Sequence, residues 1–382
     1  DVLVYVKGVS VDGNYPDVTG VARLAITARP VLVTPGSGTY TYDGLPHSVT
    51  DYQTEKAAVI GGTLANARGL IGTDAVTVTL QNNVQTAPGS YLVTWNNAVM
   101  TGGTAANYDF QHADGRLVID KANSGLTIDA TDDTLTYDAQ EHRLTYTVTA
   151  PAGTPYTVAW ATDNGATWTP VGADGLLPAH TDAGDYPIKV RVTSPYYVDG
   201  YVSTDDATLT LNRRALNITS ETASFVYDKA EHTVAGLWQV TATSANAGLV
   251  GGAAAHRIDS FGYEAGKDNA QTTVGGHPVL VDTGSVVVLN AGGADVTANY
   301  DLTADPGRID VTAQPTTMDA TDRTVTYDGT PQSFTLPTLK DADGQPVTEP
   351  VTYYYSLNGT TWSTTPITYE NVTPGGYTIQ IR

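Results

Sequence analysis

The chain has 382 residues, and its 40 acidic against 19 basic side chains give a formal net charge of −21. This charge argues against a nucleic-acid partner, whose phosphates are bound by clustered Lys and Arg, and against docking to an anionic membrane. The absence of cysteine excludes disulfides, thiolate metal sites and cysteine nucleophiles. The sequence has no run of about eighteen apolar residues, the length that would predict a membrane-spanning helix. Abundant Tyr, Thr, Val and Gly with few helix-forming runs predict strands and turns.

Residues 1–24 are expected to be a tail that contains the closing strands of a preceding repeat. The segment VLVYVKG followed by VDGNY lines up with YPIKVRV followed by VDGY, and the strand that ends at Leu24 matches one that ends at Leu209. The chain begins inside this strand-like run without a signal peptide, so we expect it to be part of a larger protein.

Two long repeats are predicted at residues 25–122 and 212–313. Both open with an apolar strand, continue into a hairpin and close with Asn-Tyr-Asp before a last alternating strand. The closing motifs begin at Asn107 and Asn299. Segments of about 100 residues suit the usual size of one domain.

Two short repeats are predicted at residues 123–211 and 314–382. Each carries an Asn-Gly turn followed three residues later by a tryptophan, Trp168 or Trp362. Asn-Gly between alternating runs is a strong hairpin signal, and we expect both indole rings to fill the sandwich cores. The order is tail, long, short, long, short, with polar joints of a few residues. The sequence thus predicts an all-β fold of tandem Ig-like β-sandwich domains in an elongated, rod-like array.

The second short repeat is expected to be truncated, because Arg382 aligns with Arg191 and the counterpart of the strand from Ala207 to Leu211 is missing. A sandwich without one edge strand leaves backbone groups unpaired. Head-to-tail self-association by strand addition is therefore a hypothesis, in which the tail of one molecule completes the last repeat of the next.

A Tyr-Asp hairpin occurs once in each predicted repeat and supplies the candidate site residues. The Asp is expected to accept backbone N–H groups at the start of the turn. Because Ala139 and Lys229 replace Gly after the Asp in two copies, we expect a type I turn without a left-handed residue. A His follows in three copies and a Gln in the fourth. Gln cannot replace imidazole as a base or zinc ligand but can keep one hydrogen bond, so we expect a structural bond across the hairpin. The motif residues are Tyr42, Asp43 and His47; Tyr137, Asp138 and His142; Tyr227, Asp228 and His232; and Tyr327, Asp328 and Gln332.

These hairpins, the ITARPVLVTP opening and the ANYDF and ANYDL closings resemble the immunoglobulin-like repeats of large bacterial surface adhesins, the MBG-type or YDG repeats. The short repeats resemble a related bacterial Ig-like repeat with a YSxNGxxW core. The resemblance covers nearly the whole chain. It implies an extracellular protein of the bacterial cell surface, with a role in adhesion or as a stalk.

No catalytic motif appears, so we expect no enzyme activity. His112, His180, His256 and His277 lie in unlike contexts without a neighbouring His or Cys. Calcium at the repeat junctions is the alternative cofactor, because oxygen-rich Asp clusters there could hold a hard cation. Its candidate ligands are Asp129, Asp132, Asp133, Asp205 and Asp206, with Asp319 and Asp322 repeating one DATD spacing.

Two functions are compatible with this sequence. The first is a stalk that presents a distal binding domain, which the matching scaffold features favour. The second is an adhesive module that itself binds a host or surface glycan or protein. Its recognition would lie in the divergent loops from Ile60 to Thr86 and from Leu249 to His277. The tyrosine runs at Pro195–Tyr201 and Thr352–Ser356 could stack on sugars, but alternation favours sheet packing.

Overall fold

The computed structural model describes residues 2–60, 63–64, 67–251 and 255–382. Within these residues the chain is all-β, and its sheets form tandem β-sandwiches, which confirms this part of the predicted fold class. The rod-like array stays a prediction. Single turns of 3-10 helix at Ala105–Asn107 and Thr297–Asn299 interrupt the strands. No helix in the described part of the chain has the length and apolar character to span a bilayer.

The strands follow the predicted segments in chain order. The tail contains β1 (Val2–Gly8) and β2 (Val18–Leu24). Residues 25–122 contain β3 (Arg29–Pro35), β4 (Gly38–Thr41), β5 (His47–Ser48), β6 (Tyr52–Thr54), β7 (Val59–Ile60), β8 (Thr63–Leu64), β9 (Ala75–Gln81), β10 (Val84–Gln85), β11 (Gly89–Gly102), β12 (Tyr108–His112) and β13 (Gly115–Asp120). Residues 123–211 contain β14 (Thr127–Thr131), β15 (Asp133–Thr136), β16 (Thr145–Thr149), β17 (Thr157–Ala161), β18 (Thr169–Pro170), β19 (Gly184–Thr193) and most of β20 (Ser203–Asn212).

The remaining strands belong to the two later segments. Residues 212–313 contain β21 (Arg214–Thr219), β22 (Thr222–Val226), β23 (His232–Thr233), β24 (Gln239–Val240), β25 (Arg257–Tyr263), β26 (Ala270–Gln271), β27 (Gly275–Val279), β28 (Val281–Leu289), β29 (Tyr300–Asp305) and β30 (Gly307–Thr312). Residues 314–382 contain β31 (Thr317–Asp319), β32 (Thr338–Lys340), β33 (Tyr355–Ser356) and β34 (Gln380–Ile381).

The chain forms two compact units, and the first consists of Asp1–Leu135, Glu141–His180 and Gly184–Thr210. In its long segment a four-stranded sheet, β4-β13-β11-β9, and a three-stranded sheet, β12-β3-β6, supply the two layers. Strand β13 alternates strictly, with Leu117 and Ile119 buried and their neighbours turned outward, as a half-buried strand requires. The buried residues of the main cluster are Val31, Val33, Leu70, Val76, Trp95 and Tyr108.

The second unit consists of Thr136–Gln140, Thr181–Ala183 and Leu211–Arg382. Its long segment has the sheets β24-β21-β29 and β22-β30-β27, with β25-β28 beside them. The central cluster combines aliphatic and tyrosine side chains: Tyr137, Leu216, Ile218, Val250, Val281, Val286, Val288 and Tyr300.

The two long segments share parallel strand pairings. In each, the strand that begins at the tyrosine of the Asn-Tyr-Asp motif runs parallel to the opening strand, which places Tyr108 opposite Arg29 and Tyr300 opposite Arg214. The identical register supports the match between these segments. The exact limits of the predicted repeats stay predictions.

The tail strands pair with each other. Strands β1 and β2 form an antiparallel ribbon from Val2↔Leu24 to Gly8↔Val18. Its apolar side chains are exposed, including Tyr5 at 76% and Val6 at 54%.

The expectation that the two tryptophans fill sandwich cores is wrong. Trp168 and Trp362 are only half-buried. The guanidinium of Arg191 lies 4.3 Å from the ring centroid of Trp168, and that of Arg382 lies 4.4 Å from Trp362. Each indole ring therefore lies on the sheet surface beneath an arginine, where cation–π attraction replaces core packing.

Candidate functional site

The turn of each Tyr-Asp hairpin is held by its aspartate. One carboxylate oxygen accepts the backbone N–H two residues on in all four copies, at 2.8 Å from Leu45, 2.8 Å from Gln140, 2.9 Å from Ala230 and 2.9 Å from Thr330. The predicted role of the aspartate is confirmed. The N–H of Leu45 lowers the pKa of Asp43, because the bond favours the charged carboxylate.

The predicted type I turn without a left-handed residue is wrong. The residue after the aspartate has a positive φ in every copy: 81° at Gly44, 63° at Ala139, 71° at Lys229 and 75° at Gly329. An L-residue in this conformation costs about 1–2 kcal/mol. Ala139 and Lys229 therefore adopt a left-handed conformation that the turn geometry requires. The residue types at this position did not predict that conformation.

The residue four positions after the aspartate bonds back to it, as the structural interpretation predicts. His47 Nε2 forms a hydrogen bond with Asp43 Oδ1 at 3.0 Å. His232 Nε2 lies 3.2 Å from Asp228 Oδ1, a close contact without hydrogen-bond geometry. Gln332 Nε2 donates to Asp328 Oδ1 at 3.0 Å, so the amide reproduces the imidazole bond. In the second hairpin the backbone of His142 exchanges two hydrogen bonds with that of His180, at 2.9 and 3.0 Å.

The tyrosine of the first hairpin is buried by residues of the following predicted repeat. Tyr42 is 4% exposed. Its hydroxyl lies 2.7 Å from Thr154 Oγ1, which itself donates to the carbonyl of Pro151 at 2.7 Å. The Tyr42 hydroxyl must therefore be the donor to Thr154. The ring of Tyr196 packs edge-on against Tyr42 at 5.0 Å between centroids. We call this group, Thr154, Tyr196 and Tyr197, the hydroxyl socket.

The tyrosine of the second hairpin is buried within the second unit. Tyr137 is 2% exposed, and its ring meets that of Tyr300 edge-on at 5.9 Å. Arg214 Nη1 donates to the backbone carbonyl of Tyr137 at 3.3 Å. Burial raises the pKa of Tyr137 to about 12. We call the surrounding group, Arg214, His256, Asn299 and Tyr300, the arginine socket.

Arg214 organises the arginine socket through carbonyl groups. The side chain is 3% exposed, and it donates to the carbonyls of Gly248 at 2.7 Å, Ala245 at 2.9 Å and Ala247 at 2.9 Å, as well as to that of Ser244. A guanidinium has five N–H donors, and carbonyl dipoles can satisfy them when no carboxylate is bonded. The buried charge thereby fixes the loop that covers the hairpin.

The glycine in this loop is required by close packing. Gly248 has a φ of 75°, and a Cβ at that position would lie 2.6 Å from the carbonyl oxygen of Ala242. The first long segment repeats the arrangement, since Arg29 Nε donates to the carbonyl of Gly69 at 2.8 Å. Gly69 has a φ of 83°. Both long segments therefore build the same arginine-bound loop.

A buried His–Tyr pair closes the arginine socket. His256 Nδ1 lies 2.7 Å from the Tyr300 hydroxyl, which accepts the N–H of Val250 at 3.1 Å. Burial, with a smaller contribution from Arg214, lowers the pKa of His256. The ring is therefore neutral near pH 7, and in the tautomer with its proton on Nε2 the Nδ1 atom accepts a hydrogen bond from the Tyr300 hydroxyl. In the first long segment Tyr108 donates instead to Asp74 Oδ2 at 2.6 Å.

Asn299 ties the socket to the loop Thr181–Ala183. Its Oδ1 accepts the N–H of Ala183 at 2.7 Å, and its Nδ2 donates to Asp182 at 3.0 Å. Asn299 is 4% exposed. Its counterpart Asn107 in the first long segment is exposed.

The third and fourth tyrosines are progressively less covered. Tyr227 is half-buried against the cluster that contains Val234, and Lys229 of the same hairpin forms an ion pair with Glu349 at 3.2 Å. Tyr327 is 59% exposed. The four hairpins share one turn but differ in what covers the ring.

The predicted calcium ligands bond to protein groups. Asp132 Oδ1 accepts the N–H of Thr208 at 2.7 Å, and Asp205 Oδ2 accepts that of Ala130 at 2.8 Å. Asp206 pairs with Lys189 at 3.2 Å, and Asp319 pairs with Lys340 at 2.8 Å. Asp129, Asp133 and Asp322 are exposed. Among the described residues no three His, Asp or Glu side chains converge as a metal site. Calcium binding stays a prediction.

The remaining histidines stack or bond locally. The ring of His112 stacks on that of Trp95 with 3.8 Å between centroids, and the ring of His180 stacks on that of Tyr186 with 3.7 Å between centroids. His277 Nε2 lies 2.9 Å from the carbonyl oxygen of Thr273. In the tyrosine runs, Tyr197 and Tyr355 are buried, as sheet packing predicts, whereas Tyr354 is 39% exposed.

The predicted recognition loops are described only in part. Gly61, Gly62, Ala65 and Asn66 of the first loop, and Gly252, Ala253 and Ala254 of the second, lie outside the described residues.

Comparison with known proteins gives structural likeness alone. No protein-family model and no curated protein matches the sequence. Among solved structures the chain is similar to the N-terminal four Ig domains of Dscam1 isoform 9.44, with 11% identity, 92% of each chain covered and a TM-score of 0.21. It is also similar to Bacteroides ovatus SGBP-B in complex with a mixed-linkage heptasaccharide, with 16% identity, 64% of this chain and 70% of that chain covered, and a TM-score of 0.20. It is similar as well to Drosophila N-cadherin EC1-3, with 12% identity, 49% of this chain and 69% of that chain covered, and a TM-score of 0.20. We therefore base the function on the hairpins and their sockets.

Sequence reasoning found the hairpins but missed the sockets. Arg214, His256 and Thr154 carry no motif of their own, and each meets its tyrosine from a distant part of the sequence. One signal was available. The matched Asn-Tyr-Asp motifs at Asn107 and Asn299 mark the strand that supplies Tyr108 or Tyr300.

Proposed function

We propose that the chain is a non-catalytic, extracellular spacer of a bacterial cell-surface adhesin, built from MBG-type repeats, that holds a binding domain away from the cell. The observation that supports this proposal is the burial of Tyr42 by Thr154 and Tyr196 of the following predicted repeat. A spacer needs joints that resist bending. A joint that buries an aromatic ring and satisfies its hydroxyl supplies that resistance.

The strength of such a joint can be bounded. Truncation of a buried aromatic side chain costs about 3–5 kcal/mol. A flexible linker without such contacts leaves neighbouring domains free to move. The hydroxyl socket therefore restricts bending where the linker alone would allow it.

Small-angle X-ray scattering of dilute protein tests the spacer. A compact globule of this length would have a radius of gyration of about 21 Å, and we expect a value at least half as large again. Tyr42→Ala should broaden the distance distribution, whereas Tyr15→Ala, which removes a 76% exposed ring of the tail, should not. A radius near the compact value would refute the spacer.

A second candidate function is direct adhesion to a host or surface glycan or protein. Trp238 is 55% exposed and lies beside Val240, which is 40% exposed. An exposed indole can stack on a sugar ring. Saturable binding on a glycan array that is lost in Trp238→Ala would favour this function over the spacer, and binding to no glycan would count against it.

A further inference from the structure

A cleft of about 460 Å³ lies over strands β17, β19 and β20 in the first unit. Strand β19 alternates along its length, with Ile188 and Val190 buried and Lys189 turned to the outer face of the sheet. Ala161 of β17 pairs with Lys189 across the ladder, so both side chains leave the sheet on the same face. Ala161 is 1% exposed. Its methyl group forms part of the floor and leaves room beside the long lysine side chain.

Polar groups of three kinds line this cleft. Lys189 Nζ lies 3.2 Å from Asp206 Oδ1, and 70% of the Asp206 side chain is exposed. Asp132 Oδ1 accepts the N–H of Thr208 at 2.7 Å, which fixes the carboxylate on the wall of the cleft. Asn164 is exposed at the mouth. The lining thus presents an ammonium group, two carboxylates and a carboxamide above an apolar floor.

The Asn-Gly turn that carries Asn164 is packed against the sheet. Gly165 has a φ of 86°, and a Cβ there would lie 3.1 Å from Trp168 Cζ2 and 3.4 Å from Lys189 Cδ. The Trp168 ring is itself held beneath the guanidinium of Arg191. Glycine therefore lets the turn approach both side chains closely, and this contact positions the Asn164 carboxamide at the cleft.

The charges of the lining favour a neutral ligand. Asp206 is balanced by Lys189, which leaves Asp132 as the other charged group of the described lining. An anionic ligand would meet that carboxylate and the net charge of −21. A metal ion would have to lie beside the ammonium group of Lys189. A neutral polyol fits both polarities, because carboxylates accept hydrogen bonds from its hydroxyl groups while the ammonium and carboxamide groups donate to them.

We propose that this cleft binds a neutral saccharide, with ring hydroxyl groups on Asp206 and Lys189 and the C–H face of the ring against Ala161 and Pro187. An apolar floor with a few convergent polar groups is the usual form of a small-molecule site. The site differs from the exposed Trp238, which belongs to the second unit. The inference goes beyond the proposed spacer and does not rest on it.

Binding to the whole chain can be screened on an array of short neutral glucan, mannan, galactan and xylan chains, with oligogalacturonate and oligolysine as charged alternatives. We expect at least one neutral chain to bind and oligogalacturonate not to bind. Titration of the strongest neutral chain by ligand-observed NMR should give a Kd of about 0.1–1 mM, because the hydrogen bonds of an open cleft replace bonds to water. The affinity should be the same with calcium and with a chelator.

Two substitutions remove one polar group each from the lining. Asp206→Ala removes an exposed carboxylate, and Lys189→Met keeps the aliphatic stem but removes the ammonium group. Each should weaken binding about fivefold or more, the loss expected for a hydrogen bond to a charged group. Asp199→Ala is the matched control, because Asp199 also pairs with a lysine, Lys121, at 2.7 Å but lies outside the cleft. It should bind as the wild type does, and thermal melts should show that all three variants fold.

Hydrogen exchange at a saturating concentration of the strongest neutral chain locates the site. We expect protection in peptides spanning 158–168, 186–192 and 204–209. Binding of no neutral chain, affinity unchanged in both Asp206→Ala and Lys189→Met, loss of binding in chelator, or protection confined to peptides around Trp238 would overturn the proposal. So would binding of oligolysine alone, which would assign the cleft to a cationic ligand. None of these outcomes changes the scattering of the ligand-free chain, so the spacer is judged separately.

Discussion

The first and fourth hairpins offer a matched pair of substitutions that measures how firmly a hairpin is docked. Gly44 and Gly329 occupy the same turn position, with φ values of 81° and 75°. A Cβ at Gly44 would lie 2.4 Å from Cβ of Pro151, whereas a Cβ at Gly329 would meet no atom within 4 Å. Gly44→Ala and Gly329→Ala thus impose the same backbone cost in different surroundings.

The two magnitudes follow from these distances. The left-handed conformation costs an L-residue about 1–2 kcal/mol, and the stiffer unfolded chain returns about 0.4–1 kcal/mol. Gly329→Ala should therefore destabilise its hairpin by about 1 kcal/mol. Gly44→Ala adds overpacking against a proline ring, which costs about 1–3 kcal/mol more.

Amide hydrogen exchange followed by mass spectrometry can read both hairpins separately, because local opening free energies differ along a chain. We expect exchange to speed up about fivefold in peptides spanning 325–334 of Gly329→Ala, and about 30-fold or more in those spanning 40–49 of Gly44→Ala. Pro151→Gly removes the opposing Cβ, so the double variant with Gly44→Ala should fall back to about the fivefold effect. Equal effects in the two single variants would show that the first hairpin is not packed on Pro151.

Three further predictions concern the second unit. Lys229→Gly removes the strain of a left-handed L-residue with a φ of 71° and loses only an exposed ion pair with Glu349. Calorimetry should therefore show stabilisation by about 0.5–1 kcal/mol. A loss of stability would mean that the ion pair contributes more than the backbone strain costs. Arg214→Met leaves five carbonyls without their donor, including the buried carbonyls of Tyr137 and Gly248, and should cost about 3–5 kcal/mol, with the melting of the first unit unchanged as an internal control. The lowered pKa of His256 means that the unfolded chain takes up its proton first as the pH falls. The stability of the second unit should therefore be fully present above the unfolded value of 6.5 and decline below it, by up to about 1.4 kcal/mol per pH unit until the folded-state pKa is reached. His256→Asn, which keeps a group that can bond Tyr300, should flatten that decline, and an unchanged pH profile would contradict it.

Local patterns in the sequence predicted the local features of the fold. Alternation of apolar residues predicts strands such as β13, and the spacing of Asp43 before Leu45 predicts the carboxylate bond to the turn. Both depend on residues within a few positions of one another. The bond from Gln332 to Asp328 was predicted for the same reason.

Features that depend on distant residues were not predicted correctly. The turn after Asp138 has Ala139 in a left-handed conformation because the surrounding hydrogen bonds and packing outweigh its intrinsic preference. Trp168 lies under Arg191, a residue of another strand, so the residue type alone suggested a core position. The arginine socket brings Arg214 to Tyr137 from 77 positions away, and no local motif marks that pairing.

The two sockets differ in chemistry, and this difference bears on how a tandem protein avoids joining the wrong neighbours while it folds. Adjacent domains of multidomain and repeat proteins can misassemble during folding. Tyr42 requires a hydroxyl acceptor such as Thr154, whereas the Tyr137 hairpin requires the guanidinium of Arg214. A hairpin that entered the other pocket would leave a buried polar group unpaired, at about 1–3 kcal/mol. The difference in pocket chemistry therefore favours the pairing of each hairpin with its own pocket.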